Sequence, residues 1–130
     1  MSRFLSLVLI FAVGSCFTHF DAHAEKPKRD SSKTRDEAKR LFRAGSAAYS
    51  SGQYLAAAQA LEQSYELIPL PATAFSLAQA YRLQFFVDQD SRHLERAITL
   101  YRLYIDSASS GARRFDAVTS LSELEPIKLK

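Results

Sequence analysis

An all-α fold is what this chain predicts, and three observations carry the prediction. Apolar or small residues recur at spacings of three and four in five successive segments between Ala38 and Leu124, the signature of side chains sharing one helix face. Gly52, Pro69, Pro71, Gly111 and Pro126 stand between or at the ends of those segments. Ala, Leu, Ser and Arg dominate the rest, residues that lose little rotamer freedom in a helix or cap its ends. At 130 residues, 47% hydrophobic and 24% charged, the chain is one small domain with some sequence outside its core.

The N-terminus reads as an export signal. Arg3 precedes an apolar run from Phe4 to Val13, too short for the roughly 20 residues a membrane-spanning helix needs. Two cleavage readings stand. Ala22-His23-Ala24 offers small residues to a signal peptidase, giving 1–24 as signal peptide and Glu25 as the first mature residue. Val13-Gly14-Ser15-Cys16 resembles a bacterial lipoprotein box, in which Cys16 is lipidated and becomes the first residue. The expected location is the periplasm or cell envelope, soluble in the first case and membrane-anchored in the second. Cys16 is the only cysteine, so no internal disulfide forms and stability must come from packing.

Residues 25–34 lack apolar side chains and read as a flexible basic leader. From Glu25 to Arg43 there are eight basic and four acidic residues, against eight and nine from Ala44 onward. The overall charge of +3 thus belongs to one end, either as solvated surface or as attraction to an anionic membrane.

The domain is expected over 35–125. The first helix, about Thr34 to Ser50, lines up Ala38, Leu41, Phe42, Gly45, Ala48 and Tyr49. Gly52 supplies the left-handed residue that ends helices, so the chain reverses within a few residues. The second, about Tyr54 to Ile68, presents Ala57, Ala58, Leu61 and Tyr65 and stops at Pro69-Leu70-Pro71. These two pack as an antiparallel hairpin, with Gly45 and the alanines allowing close approach. A third helix, about Ala72 to Phe86, and a fourth, about Arg92 to Ser107, form a second hairpin, with Asp88 to Ser91 as turn and cap. Phe85-Phe86-Val87 falls in that turn, read as a lengthened helix tucked inward or else as an exposed partner patch. The fifth, Ala112 to Leu124, places Phe115, Val118, Leu121 and Leu124 on a stripe that caps the stack, and Pro126 ends it.

Leu41, Ala44, Gly45, Ala48, Gly52, Tyr54, Ala57, Leu61 and Pro69 stand at the landmarks of one tetratricopeptide repeat (TPR), about 38–70. Ala74, Leu77, Ala78, Tyr81, Ala97 and Tyr101 supply a second, about 71–108. Its two leading positions are 23 apart where the first copy has 16, so about seven residues extend the turn. The chain therefore resembles the TPR family. The phrasing Phe75 to Arg82 and Arg96-Ala97-Ile98 is similar to short exported repeat proteins of Gram-negative bacteria. The resemblance implies two antiparallel hairpins plus a capping helix, 112–124, wound as a right-handed α-α superhelix. It also implies a partner groove on the concave face, onto which the register carries Lys39, Phe42, Arg43, Ser46 and Tyr49 from the first helix and Phe75, Gln79 and Arg82 from the third. The family's carboxylate clamp also uses asparagine, which this chain lacks altogether.

Enzyme signatures are absent. His93 is the only histidine after Ala24, no glycine-rich phosphate loop occurs, and Asp36-Glu37 read as first-turn acids suited to the helix dipole. Asp88 and Asp90 lack the rest of a calcium loop. No metal and no cofactor are expected. The basic end has no interleaved aromatics, which argues against nucleic acid. The expectation is a non-enzymatic scaffold or adaptor binding a protein or peptide through the concave groove. The alternative is an envelope structural or assembly protein anchored through Cys16. Two repeats and a cap bury little core, so the chain is expected either as a small monomer stabilised by the fifth helix or with a neighbour gained by homodimerisation or partner binding.

Overall fold

The computed structural model describes residues 31–108 and 110–130. The expected signal peptide, Cys16 and the expected leader up to residue 30 lie outside the described residues.

Five helices run in order: α1 Ser31–Ser50, α2 Tyr54–Leu67, α3 Pro71–Asp88, α4 Ser91–Ser107 and α5 Ala112–Lys128. No strand occurs among the described residues. Helix α1 starts earlier than expected, taking in residues 31–34 of the supposed leader. Once Ala38 is anchored against α2, each further residue adds a backbone hydrogen bond, so the helix propagates into polar sequence. Asp36 and Glu37 therefore stand in the second turn rather than the first, and Glu37 Oε1 pairs with Arg40 Nη2 at 2.5 Å.

Each helix packs on its neighbours in sequence, and α1 also touches α3. Two hairpins, α1–α2 and α3–α4, thus stack side by side with α5 on the open flank of α4. The core is built from small residues, Ala57, Ala58, Ala74, Ala78 and Ala97, with Leu61, Leu77, Ile98 and Tyr101 filling the space between them. Gly45 shows why the α1–α2 contact needs small side chains. A Cβ there would lie 2.6 Å from Leu61 Cγ and 3.1 Å from the Ala57 carbonyl oxygen. Gly52, with φ +74°, turns the chain between α1 and α2 as expected.

Polar links tie the hairpins together. Ser64 Oγ, buried in α2, donates to the Ala38 carbonyl of α1 at 2.8 Å. Tyr81 of α3 donates its hydroxyl to Glu62 Oε2 of α2 at 2.9 Å, and Arg96 of α4 bonds the same carboxylate. Burial, with the Glu62 bond added, pushes the Tyr81 phenol up to about 12. His93 stacks on Tyr81 with ring centroids 5.6 Å apart, and its Nδ1 sits 2.9 Å from Asp88 Oδ2. Asp90 caps α4, accepting from the Arg92 amide at 2.9 Å.

Three details depart from the sequence reading. Helix α3 does run through the stretched turn to Asp88, yet it buries only Phe85, leaving Phe86 and Val87 exposed. Consecutive residues sit about 100° apart around a helix, so three in a row cannot all face inward. In α5 the inward residues are Ala117 and Leu124 with Leu121 half-buried, while Phe115 is 73% and Val118 46% exposed. Leu121 and Leu124 keep the expected side, but in the first half of the helix Ala117 takes the inward place expected of Phe115 and Val118. Helix α5 also continues past Pro126 to Lys128. The backbone bond that proline cannot make is to Ser122, and both residues are exposed, so water can serve that carbonyl.

Candidate functional site

An apolar concavity lies between α1, the end of α2 and the start of α3, with a volume of about 560 Å³. Its floor is Ala38 and Phe42 of α1, with Ile68 and Ala72 across from them. Ser64 and Thr73, both buried, supply the polar atoms of that floor. The Pro69-Leu70-Pro71 segment, read in sequence only as a stop, does more than end α2. It holds Leu70 in extended backbone, φ −87° and ψ 140°, where its side chain stays 52% exposed at the edge of the groove. Pro71 after it disfavours the helical region for Leu70 and favours this extended placement.

Arg35, Lys39 and Arg43 line the α1 side of the groove. They are spaced by four, so they form one row along the helix, and all three are exposed. None forms an ion pair with any described residue. Arg113 and Lys130, also exposed, likewise form no ion pair with a described residue, while most of the remaining cations are bonded. Arg40, Arg82, Arg92, Arg96, Arg102 and Lys128 each pair with a carboxylate. Arg114 donates instead to the Ile105 and Ala108 carbonyls at the end of α4. No acidic residue lines the groove.

Of the eight residues that the resemblance placed on the concave face, the structure brings Lys39, Phe42 and Arg43 together here. Ser46, half-buried one turn on, donates its hydroxyl to the Phe42 carbonyl at 2.9 Å and so faces its own backbone. Tyr49 is half-buried, edge-on to Tyr54 at 5.6 Å, and burial raises its phenol above the ordinary value. Gln79 is half-buried on α3. Phe75 is no surface residue at all. It is 6% exposed and packs against Tyr101 and Tyr104 of α4, with ring centroids 6.2 and 5.1 Å away. Its place in the register faces the second helix of its own hairpin rather than the open side.

Arg82 is likewise unavailable to an outside carboxylate. Its Nη2 donates to Glu123 Oε2 of α5 at 2.6 Å, its guanidinium lies 5.3 Å from the Phe86 ring centre, and its Nε is buried. Beneath it lies the Tyr101 hydroxyl, buried against Ser120 without hydrogen-bond geometry, and burial raises that phenol.

The sequence reading missed Arg35, Ile68, Leu70 and Thr73. Arg35 was legible, since it begins the 35–39–43 row. The other three belong to the α2–α3 connection and reach the groove only through tertiary packing.

A second depression, about 580 Å³, is lined by Thr99, Arg102, Leu103, Asp106 and Ser107, all from α4. One helix surface alone encloses nothing, and Arg102 is already bonded to Glu125 at 2.6 Å. Among the described residues no three His, Cys, Asp or Glu side chains gather as metal ligands, and no helix is long and apolar enough to cross a membrane. Comparison with protein-family models, with curated proteins and with solved structures finds no match to this chain.

Proposed function

We propose that the chain is a non-enzymatic binding module that takes a segment of a protein partner into the α1–α2–α3 groove. The observation that carries this reading is the groove itself: an apolar concavity of about 560 Å³ formed by three helices, with exposed basic side chains along one side. The hairpin pairing and the α1–α3 contact support the finer reading of a TPR-like right-handed superhelix, in which first helices line the concave side. The apolar run from Phe4 to Val13 and the Ala22-His23-Ala24 site support export, so the partner is sought in the bacterial cell envelope. Photo-crosslinkers placed at Phe42 and at Thr99 in producing cells test it. Adducts at Phe42 and none at Thr99 are expected; adducts at neither, or equally at both, overturn the groove.

A second reading rests on Val13-Gly14-Ser15-Cys16, a lipidated envelope assembly protein. Fractionation of wild type and Cys16→Ser separates the two. Membrane retention lost in the variant supports the anchor, and identical soluble behaviour removes it.

A further inference from the structure

The groove carries a charge pattern that says more about its occupant than its apolar floor does. Arg35, Lys39 and Arg43 are three cations in a line, exposed, none in an ion pair with a described residue and no acid lining the groove, although Glu66 shares the neighbouring depression with Arg35. Other cations of the fold do meet acids, as in Arg82–Glu123 and Arg102–Glu125 at 2.6 Å each, so a row of three without one stands out along α1. We infer that the partner segment presents several carboxylates along one edge and apolar side chains along the other. This rests on the reading of the groove as a protein-binding site and names the class of segment bound there.

Spacing favours a peptide over a single anion. Residues four apart on α1 are about 6 Å apart along the axis, so the row extends over about 12 Å. Alternate side chains of an extended segment are about 6.6 Å apart, and i, i+4 side chains of a helix about 6 Å, so acids at either repeat match the row. A lone headgroup or a small carboxylate meets one cation and leaves the others unused. The apolar edge meets Phe42 on the floor and Leu70 on the facing rim, the one large side chain on that rim already turned toward water. The two arginines give bidentate geometry to carboxylates, and Lys39 between them gives a point charge.

The test uses three synthetic 12-residue peptides alternating Leu or Phe with Glu, with Gln or with Lys, titrated calorimetrically against the full chain. The Glu peptide is expected to bind at least tenfold more tightly than the Gln peptide, to weaken as NaCl is raised, and to outcompete the Lys peptide entirely. The triple variant Arg35→Gln, Lys39→Gln, Arg43→Gln is expected to erase the Glu preference while leaving Gln-peptide binding within twofold. Equal binding of Glu and Gln peptides, both lost in Phe42→Asp, overturns the acidic-partner inference and leaves the groove reading standing. Binding of none, or binding indifferent to Phe42→Asp, overturns both. Vesicles of phosphatidylglycerol form the last arm. If they bind through the same three cations while no peptide does, the row serves a lipid surface and the inference fails. The substitutions fall on exposed side chains, so circular dichroism spectra of the triple variant and wild type should coincide.

Discussion

The two ends of the inner face formed by α1 and α3 begin with the same ingredients, basic side chains beside aromatic rings, and finish in opposite conditions. At one end Arg82 sits against Phe86 and above the buried Tyr101 hydroxyl, and Glu123 of α5 closes over it at 2.6 Å. At the other, Arg35, Lys39 and Arg43 flank Phe42 with no acid in the groove lining and no ion pair to a described residue. The difference comes from where α5 lands, since its carboxylates reach Arg82 and Arg102 and the groove lining includes nothing from α5. A basic surface residue is thus tied into the fold where a later helix supplies its partner, and left open to solvent where none does.

Uncovering the closed end should have the largest effect on stability. Leu124 is the large, fully buried anchor of α5, and Leu124→Ala should cost about 2–5 kcal/mol. Urea denaturation reads this directly, and amide exchange should show α5 opening ahead of the hairpins. Next is Gly45→Ala, inside the second half of α1. The clash with Leu61 outweighs the gain in helix propensity, for a net loss of about 1–2 kcal/mol.

The helices and their pairing were legible in sequence because burial and periodicity are local and redundant; Ala38, Gly45, Ala57 and Leu61 each point to the same hairpin. What was not legible depends on rotation and on distant partners. Phe75 and Phe42 occupy comparable first-helix faces, yet Phe75 is sealed by Tyr101 and Tyr104 while Phe42 looks into a groove. No local pattern distinguishes them. Arg82 and Glu123 are 41 residues apart, and neither announces the other. The same holds for Phe115, whose apolar character suggested an inward residue although Ala117 takes that place. Leu70 shows the opposite lesson, since two flanking prolines carried more than a stop signal.

A smaller effect sharpens the contrast further. Glu123→Ala frees Arg82 at the closed end, and because both side chains keep partial exposure the loss should be only about 0.5–1 kcal/mol. At the open end, Lys39→Gln and Arg43→Gln should each change stability by less than about 0.5 kcal/mol, having no partner to lose. If both ends respond alike, the contrast between them is wrong.

Alkaline pH probes the Glu62–Tyr81–Arg96 link that holds both hairpins behind this face. The Tyr81 phenol is held at about 12 against an ordinary value of 10, so the fold favours its neutral form. Its contribution is fully present below pH 10 and is lost as the pH climbs through 12. The urea midpoint should fall over that interval in wild type and fall less in Tyr81→Phe.

The most direct measurement is amide chemical-shift mapping of the isotopically labelled chain during titration with the Leu/Glu peptide. The account predicts perturbations centred on Lys39, Phe42, Arg43, Leu70 and Thr73, with Arg82 and Glu123 unmoved. Perturbations centred on Arg82 and Glu123, or on the exposed Phe115 and Val118 of α5, would contradict it.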